Sequence, residues 1–177
     1  MLRGFLTLPE SRMRVAVTGH QPHLLGGFGE EAALRLRAFA RRWLQRTRPT
    51  EVICGMAPGW DLAMAEAALE EAVPLVAALA WPGQGKNWPE DAYKHLQTLL
   101  GRAAQVHTVF PKRTQEMWTV RDQWVLERAD LVVALWSGAE GGTAQAVAHA
   151  RGLGKPVENL WEEWERLPGA GYSPTET

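Results

Sequence analysis

Apolar residues along this chain recur with two periods that alternate. Arg12 to Thr18 (RMRVAVT) has the length and content of a strand, and a loop rich in glycine, histidine and proline follows it, TGHQPHLLGGFG. From Glu30 to Arg46 the period changes. Leu36, Phe39, Ala40, Trp43 and Leu44 fall at i, i+3, i+4, i+7 and i+8, which lines one face of a helix and leaves most arginines on the other. Glu51 to Cys54 predicts a short second strand, and Trp60 to Ala72 an alanine-rich helix. Pro74 to Ala80 (PLVAALA) is so uniformly apolar that both faces of that strand must be covered. After it, WPGQGKNWP reads as a long loop. A helix over about 90–100, a strand over about 105–110 and a helix over about 114–128 come next. Asp130 to Trp136 (DLVVALW) is a further strand. Glu140 to Arg151 is a helix stopped by Gly152 and Gly154, and Lys155 to Val157 enters a last short strand.

Strands alternating with helices of this length are the pattern of βαβ units around a sheet. The expected fold class is therefore α/β, a Rossmann-like three-layer domain with a mainly parallel sheet. It covers residues 1–158, and 159–177 form an aromatic turn around Trp161 and Trp164 followed by a flexible tail. The full length of 177 residues fits one domain with one sizeable core.

Charge and cysteine content narrow the function classes. Nineteen basic and 20 acidic residues leave a net charge of −1, so no global positive field draws in nucleic acid or an anionic membrane. Cys54 is the only cysteine, which excludes an intrachain disulfide and a cysteine-based metal cluster and fits a reducing cytosol. Met1 to Pro9 lacks the apolar core of a signal peptide, and no run approaches ~20 apolar residues. A cytoplasmic, non-membrane protein is expected.

In open parallel sheets ligands bind beyond the carboxyl ends of the strands, where loops and helix amino termini converge. Three loops carry suitable chemistry. Thr18, Gly19 and His20 follow the first strand. Cys54 to Asp61 (CGMAPGWD) brings Gly55, Met56, Ala57 and Gly59 to the start of a helix whose free amides favour an anion. Ser137 to Thr143 repeats that design with Gly141, Gly142 and Thr143. If the first, second and DLVVALW strands are adjacent and parallel, these loops share one pocket.

The runs TGHQP, CGMAPGWDLAMAEAA and RADLVVALWSGAEGGTAQAVAHARGLGKPV resemble the SLOG superfamily, in particular its YpsA-like branch, over roughly Val15 to Val157. More distant resemblance extends to the LOG phosphoribohydrolases, often called lysine decarboxylase-like, and to the DNA-processing protein DprA. The resemblance implies a Rossmann-like domain that binds a nucleotide or a nucleotide-derived, phosphate-bearing ligand as sensor or carrier. A molybdenum-cofactor carrier is a variant of that class. LOG members hydrolyse the N-glycosidic bond of nucleoside monophosphates, which is the alternative function, and DprA-like binding of single-stranded DNA is a second.

The hydrolase pattern carries over only in part. Arg121 stands at the matching distance before Asp130, which implies a phosphate-binding or ribose-orienting arginine, and Gly142 and Thr143 match the terminal Gly-Thr. The glutamate that should follow is Ala146, and the turn opens on Trp136 instead of proline. The carboxylate that would stabilise an oxocarbenium-like transition state is thus missing from its place. Glu140 or Asp61 is a substitute only if geometry brings it near, so Arg121 and Glu140 are the candidate catalytic pair and ligand binding ranks above hydrolysis.

Several single residues have two readings. His20 and His23 have H-x-x-H spacing on a loop with no third ligand, which favours a ligand hydrogen bond from His20 over a metal site. Asp61 caps the second helix or accepts from a ribose hydroxyl. Arg121 meets the ligand or pairs with Glu116 or Glu127 on its own helix. Of nine tryptophans, Trp60, Trp81 and Trp136 fall at strand carboxyl ends where an indole can stack on a base, with Trp88 a fourth candidate. Apolar content and surplus tryptophan suggest a homodimer or higher homo-oligomer through helices flanking the site.

Overall fold

A computed structural model describes residues 12–169. Strands β1 (Arg14–Gly19), β2 (Glu51–Cys54), β3 (Leu75–Leu79), β4 (Gln105–Thr108), β5 (Leu131–Leu135) and β6 (Val157–Asn159) form one sheet in the order β4-β3-β2-β1-β5-β6. Every pairing is parallel. Helices α1 (Glu30–Thr47), α2 (Trp60–Glu70), α3 (Glu90–Arg102), α4 (Met117–Glu127), α5 (Gly142–Gly152) and α6 (Trp161–Glu165) complete it, with a 3₁₀ turn at Pro22–Leu24.

Side-chain alternation along the strands fills two cores. Val15, Val17, Val52, Cys54, Leu75 and Leu135 point to the face covered by α1, α2 and α6, where Phe39, Trp43, Trp60 and Trp164 supply the bulk. Ala16, Ile53, Val76 and Val132 point to the other face, against Val125 and Leu126 of α4 and Ala146 and Ala150 of α5. The uniformly apolar run expected of a doubly covered strand is β3, buried along its whole length. Helix α1 buries Leu36, Phe39, Ala40, Trp43 and Leu44, the stripe read from the periodicity.

Differences from the sequence reading lie at element ends. Helix α4 starts at Met117 instead of near Thr114, and α5 at Gly142 instead of Glu140. The expected aromatic turn after Asn159 is a short helix whose Trp164 is fully buried. The expected flexible tail falls on 170–177, outside the described residues.

The strand order places β1 between β2 and β5. Chain direction across the sheet reverses at the β1/β5 boundary, so the loops after these two strands separate and leave a crevice at the carboxyl end. No helix among the described residues is long and apolar enough to cross a membrane.

Candidate functional site

A crevice of about 340 Å³ lies at the β1/β5 boundary. Thr18, Gly19 and His20 line it from β1, Ala57 and Asp61 from the start of α2, Arg121 and Asp122 from α4, and Glu140 to Thr143 from the loop into α5. The loops after β1, β2 and β5 therefore meet in one pocket. Its size falls within the roughly 300–1,000 Å³ usual for small-molecule sites.

The two glycine junctions differ. Helix α5 follows Gly141 (φ 138°) at its N-cap position, has no side-chain cap, and a Cβ at Gly141 or Gly142 would meet nothing within 4 Å. Its free amides open on the crevice, the arrangement that attracts an anion. At α2 the protein occupies the corresponding position itself. The Trp60 amide donates to the His20 carbonyl at 3.2 Å, and the Ala57 amide to Asp61 Oδ2 at 3.3 Å. Gly59 (φ 95°) lets the His20 carbonyl approach, since a Cβ there would stand 2.4 Å from it. Gly59 therefore serves loop packing, and of the two glycine junctions only the one at α5 is open.

Arg121 is 5% exposed. Its Nη1 donates to the Gly55 carbonyl and its Nε to Asp122 Oδ1 at 2.7 Å, and its guanidinium lies 5.5 Å from the Trp118 ring. Neither Glu116 nor Glu127 is its partner. A Cβ on Gly55 would sit 2.7 Å from the guanidinium carbon, so Gly55 is small in order to seat Arg121. Two of its five guanidinium N–H donors are engaged by these bonds, and Arg121 is among the residues that line the crevice.

Asp61 is buried. Desolvation raises its pKa to about 7, opposed by Arg121 and the Ala57 amide and reinforced by Asp122. Near neutral pH it is a carboxyl group able to donate as well as accept. His20 Nε2 accepts the Ser137 amide at 2.9 Å and lies 2.8 Å from Ser137 Oγ, which puts the neutral ring's proton on Nδ1. Burial, then nearby His23, lowers the His20 pKa. The Trp161 ring meets the imidazole edge-on at 5.5 Å. His20 thus ties the loop after β1 to the loop after β5.

Other candidates stand outside the crevice lining. Met56 is fully buried in left-handed conformation (φ 59°). The Trp81 ring covers Gly83, and Trp136 Nε1 donates to the Ala139 carbonyl at 2.8 Å while its backbone pairs with Asn159. Trp60 packs beneath Gly19 and against Phe39, within the core. Cys54 is a core thiol raised well above its ordinary pKa by burial. Among the described residues no cluster of three or more side chains could hold a metal ion.

Asp122 and Gln84 carry no reading in the sequence, and Ser137 figures there only as the first residue of its loop. Gln84 accepts the Ala80 amide at 2.8 Å and donates to the Gly55 carbonyl at 3.0 Å, fixing the loop that carries Arg121's acceptor. Their only sequence signal was position beside a singled-out residue or within a glycine-rich loop.

No protein-family model and no curated protein matches the chain. Solved structures do. DNA processing protein A (DprA) from Helicobacter pylori, described for its single-stranded DNA binding mode, aligns with a TM-score of 0.59 at 16% identity over 87% of this chain and 67% of that one. TM1055 aligns at 0.56 and 20% identity over 91% and 85%. DprA from Streptococcus pneumoniae aligns at 0.57 and 16% identity over 82% of this chain, which spans about half, 49%, of that protein. The chain shares the Rossmann-like α/β fold of these structures. Within that fold the crevice sits where the sheet order dictates, at the carboxyl ends of β1 and β5.

Proposed function

We propose that this protein binds a nucleotide or nucleotide-derived ligand in the β1/β5 crevice, as a sensor or carrier of the YpsA-like kind. The observation that carries the reading is the open amino end of α5 lining the same crevice as Arg121. The ligand's anionic group is assigned to the amides at Gly142 and Thr143, with the remaining Arg121 donors as a second contact. Asp122 and Asp61 offer acceptors to sugar hydroxyls. Asp122 is neutralised by Arg121 at 2.7 Å and Asp61 is raised to about 7, so the carboxylates repel a phosphate less than their number suggests. Extended single-stranded DNA fits poorly, because Arg121 is the only lysine or arginine lining the crevice, against three acidic side chains, Asp61, Asp122 and Glu140.

One observation favours a second reading. A buried carboxyl with a pKa about 7 in a ligand-sized crevice is poised for acid–base work, and Asp61 is a better placed group for N-glycosidic hydrolysis than the exposed Glu140. Calorimetry with AMP and adenosine, and a base-release assay on the same samples, separate the two readings. Tighter binding of AMP with no adenine release is expected. Equal affinities would remove the phosphate site, and adenine release abolished in Asp61→Asn or Glu140→Gln would make the protein a hydrolase.

A further inference from the structure

The H-x-x-H pair of the first loop divides in the structure. His20 is engaged with Ser137, whereas His23 lines the β1/β5 crevice together with Gln21 and Leu24. Among the described residues neither Gln21 nor His23 has a side-chain hydrogen-bond partner, and both are exposed, while Leu24 is half-buried. Gln21 precedes the 3₁₀ turn Pro22–Leu24, whose backbone is tied down. The Leu24 and Leu25 amides donate to the Gln21 and Pro22 carbonyls at 3.1 and 2.9 Å, and the Gly27 amide to the Pro22 carbonyl at 2.8 Å. Leu25 is buried in the core, and Gly59 packs so closely that a Cβ there would stand 2.9 Å from Gln21 Cα. Two polar side chains without protein partners thus face the crevice from a fixed turn, the kind of placement that lets a few contacts set specificity.

We propose that this turn is the base-reading wall of the crevice, where Gln21 and His23 hydrogen-bond the polar edge of a nucleobase and Leu24 lies against its ring. This rests on the reading of the crevice as a nucleotide site, and assigns a part of the ligand to each wall. The lining divides by charge. Arg121, Asp122, Asp61, Glu140 and the open end of α5 supply ions and oriented amides, which suit a phosphate and sugar hydroxyls. The turn supplies a carboxamide and an imidazole. A carboxamide offers donors beside an acceptor, and a neutral imidazole one of each. The edge of a base likewise sets donors beside acceptors, so either side chain can match it. Leu24 next to them suits the face of a ring and gives nothing to a further hydroxyl.

Calorimetry on the full chain tests it, with AMP, GMP, CMP, UMP and ribose 5-phosphate titrated into wild type, Gln21→Ala and His23→Ala. Wild type is expected to bind at least one of the four nucleotides about tenfold or more tighter than ribose 5-phosphate, since only the nucleotides reach the turn with a base. Each variant is expected to weaken that nucleotide about three- to tenfold, the worth of one ordinary hydrogen bond, and to leave ribose 5-phosphate unchanged. Both replaced side chains are exposed, and an unchanged ribose 5-phosphate affinity also reports that the site is folded. Three results would overturn the base wall and leave the anion site standing: ribose 5-phosphate binding wild type as tightly as every nucleotide, nucleotide affinity unchanged in either variant, or sugar phosphate and nucleotide weakened equally. Failure of all five ligands to bind wild type would overturn the nucleotide site and the base wall together.

Discussion

His20 Nε2 accepts the backbone amide of Ser137 at 2.9 Å, joining two loops that belong to strands on either side of the point where the sheet reverses. An imidazole in this role must stay unprotonated at Nε2, and burial already lowers its pKa. The unfolded chain takes up the proton near the ordinary value of 6.5, while the folded chain resists it. Stability from this group is therefore present above about pH 6.5 and declines as pH falls below it. NMR titration of His20 is expected to give a midpoint below 6.5. His20→Ala is expected to cost roughly 0.5–1.5 kcal/mol at pH 7.5, the worth of an ordinary hydrogen bond. A midpoint at or above 6.5 would contradict this.

Gly55 and Arg121 form a pair whose two halves can be tested separately. A methyl group on residue 55 would meet the guanidinium at 2.7–2.9 Å, so Gly55→Ala is expected to displace Arg121 without removing it. AMP binding in Gly55→Ala should then weaken in parallel with Arg121→Ala, by roughly 1.5–3 kcal/mol, the range for hydrogen bonds to charged groups. Arg121→Lys should recover only part, because a lysine cannot serve Gly55, Asp122 and a ligand together. Full AMP affinity in Gly55→Ala, measured by calorimetry, would detach Arg121 from binding.

Asp61 gives a pH dependence of opposite sign to that of His20. Its folded pKa, about 7, lies above the unfolded value of about 3.9, so the native state holds the proton more tightly. Its stabilising contribution is complete below about pH 4 and is lost as pH rises to 7. Denaturant titrations of wild type and Asp61→Asn across pH 4–8 should diverge in that window, with the variant gaining relative stability towards pH 8. Parallel curves would show that the carboxyl ionises normally.

Gly19 is expected to tolerate no side chain. A Cβ there would stand 2.5 Å from Trp60 Cδ1, against a fully buried indole that cannot retreat. Gly19→Ala should destabilise by about 1–3 kcal/mol, the usual cost of overpacking, and lower Tm by several degrees. An unchanged melting temperature by calorimetry would show that Trp60 can shift.

Much of this architecture is legible in residue order because it rests on local periodicity. The stripe on α1 and the bounds of β2 follow from spacing alone, and the β1, β2 and β5 loops converge because parallel strands put their carboxyl ends together. Partnerships between distant residues are not legible. Gly55 reads as an anion-binding loop, yet it makes room for a guanidinium 66 residues away. Gly59 reads likewise and instead admits the His20 carbonyl. Trp81 ends a strand as a base-stacking residue would, but the glycine at 83 lets its ring fold over the loop. Met117 begins α4 later than the apolar pattern suggests, with Pro111 to Glu116 spanning the connection from the edge strand.

The crevice has unequal walls. On the β2 side the His20 carbonyl, Gly59, Gln84 and Arg121 interlock, while on the β5 side Ser137 to Gly142 is exposed and held by few side-chain bonds, with Gly138 and Gly141 both left-handed. On the proposed reading, ordering on ligand capture falls to the exposed Gly138–Gly142 stretch, a short flap beside the interlocked β2 wall. The rate of ligand escape, more than the rate of arrival, would then report on how that flap is built, and shortening it at Gly138 would act on residence time first.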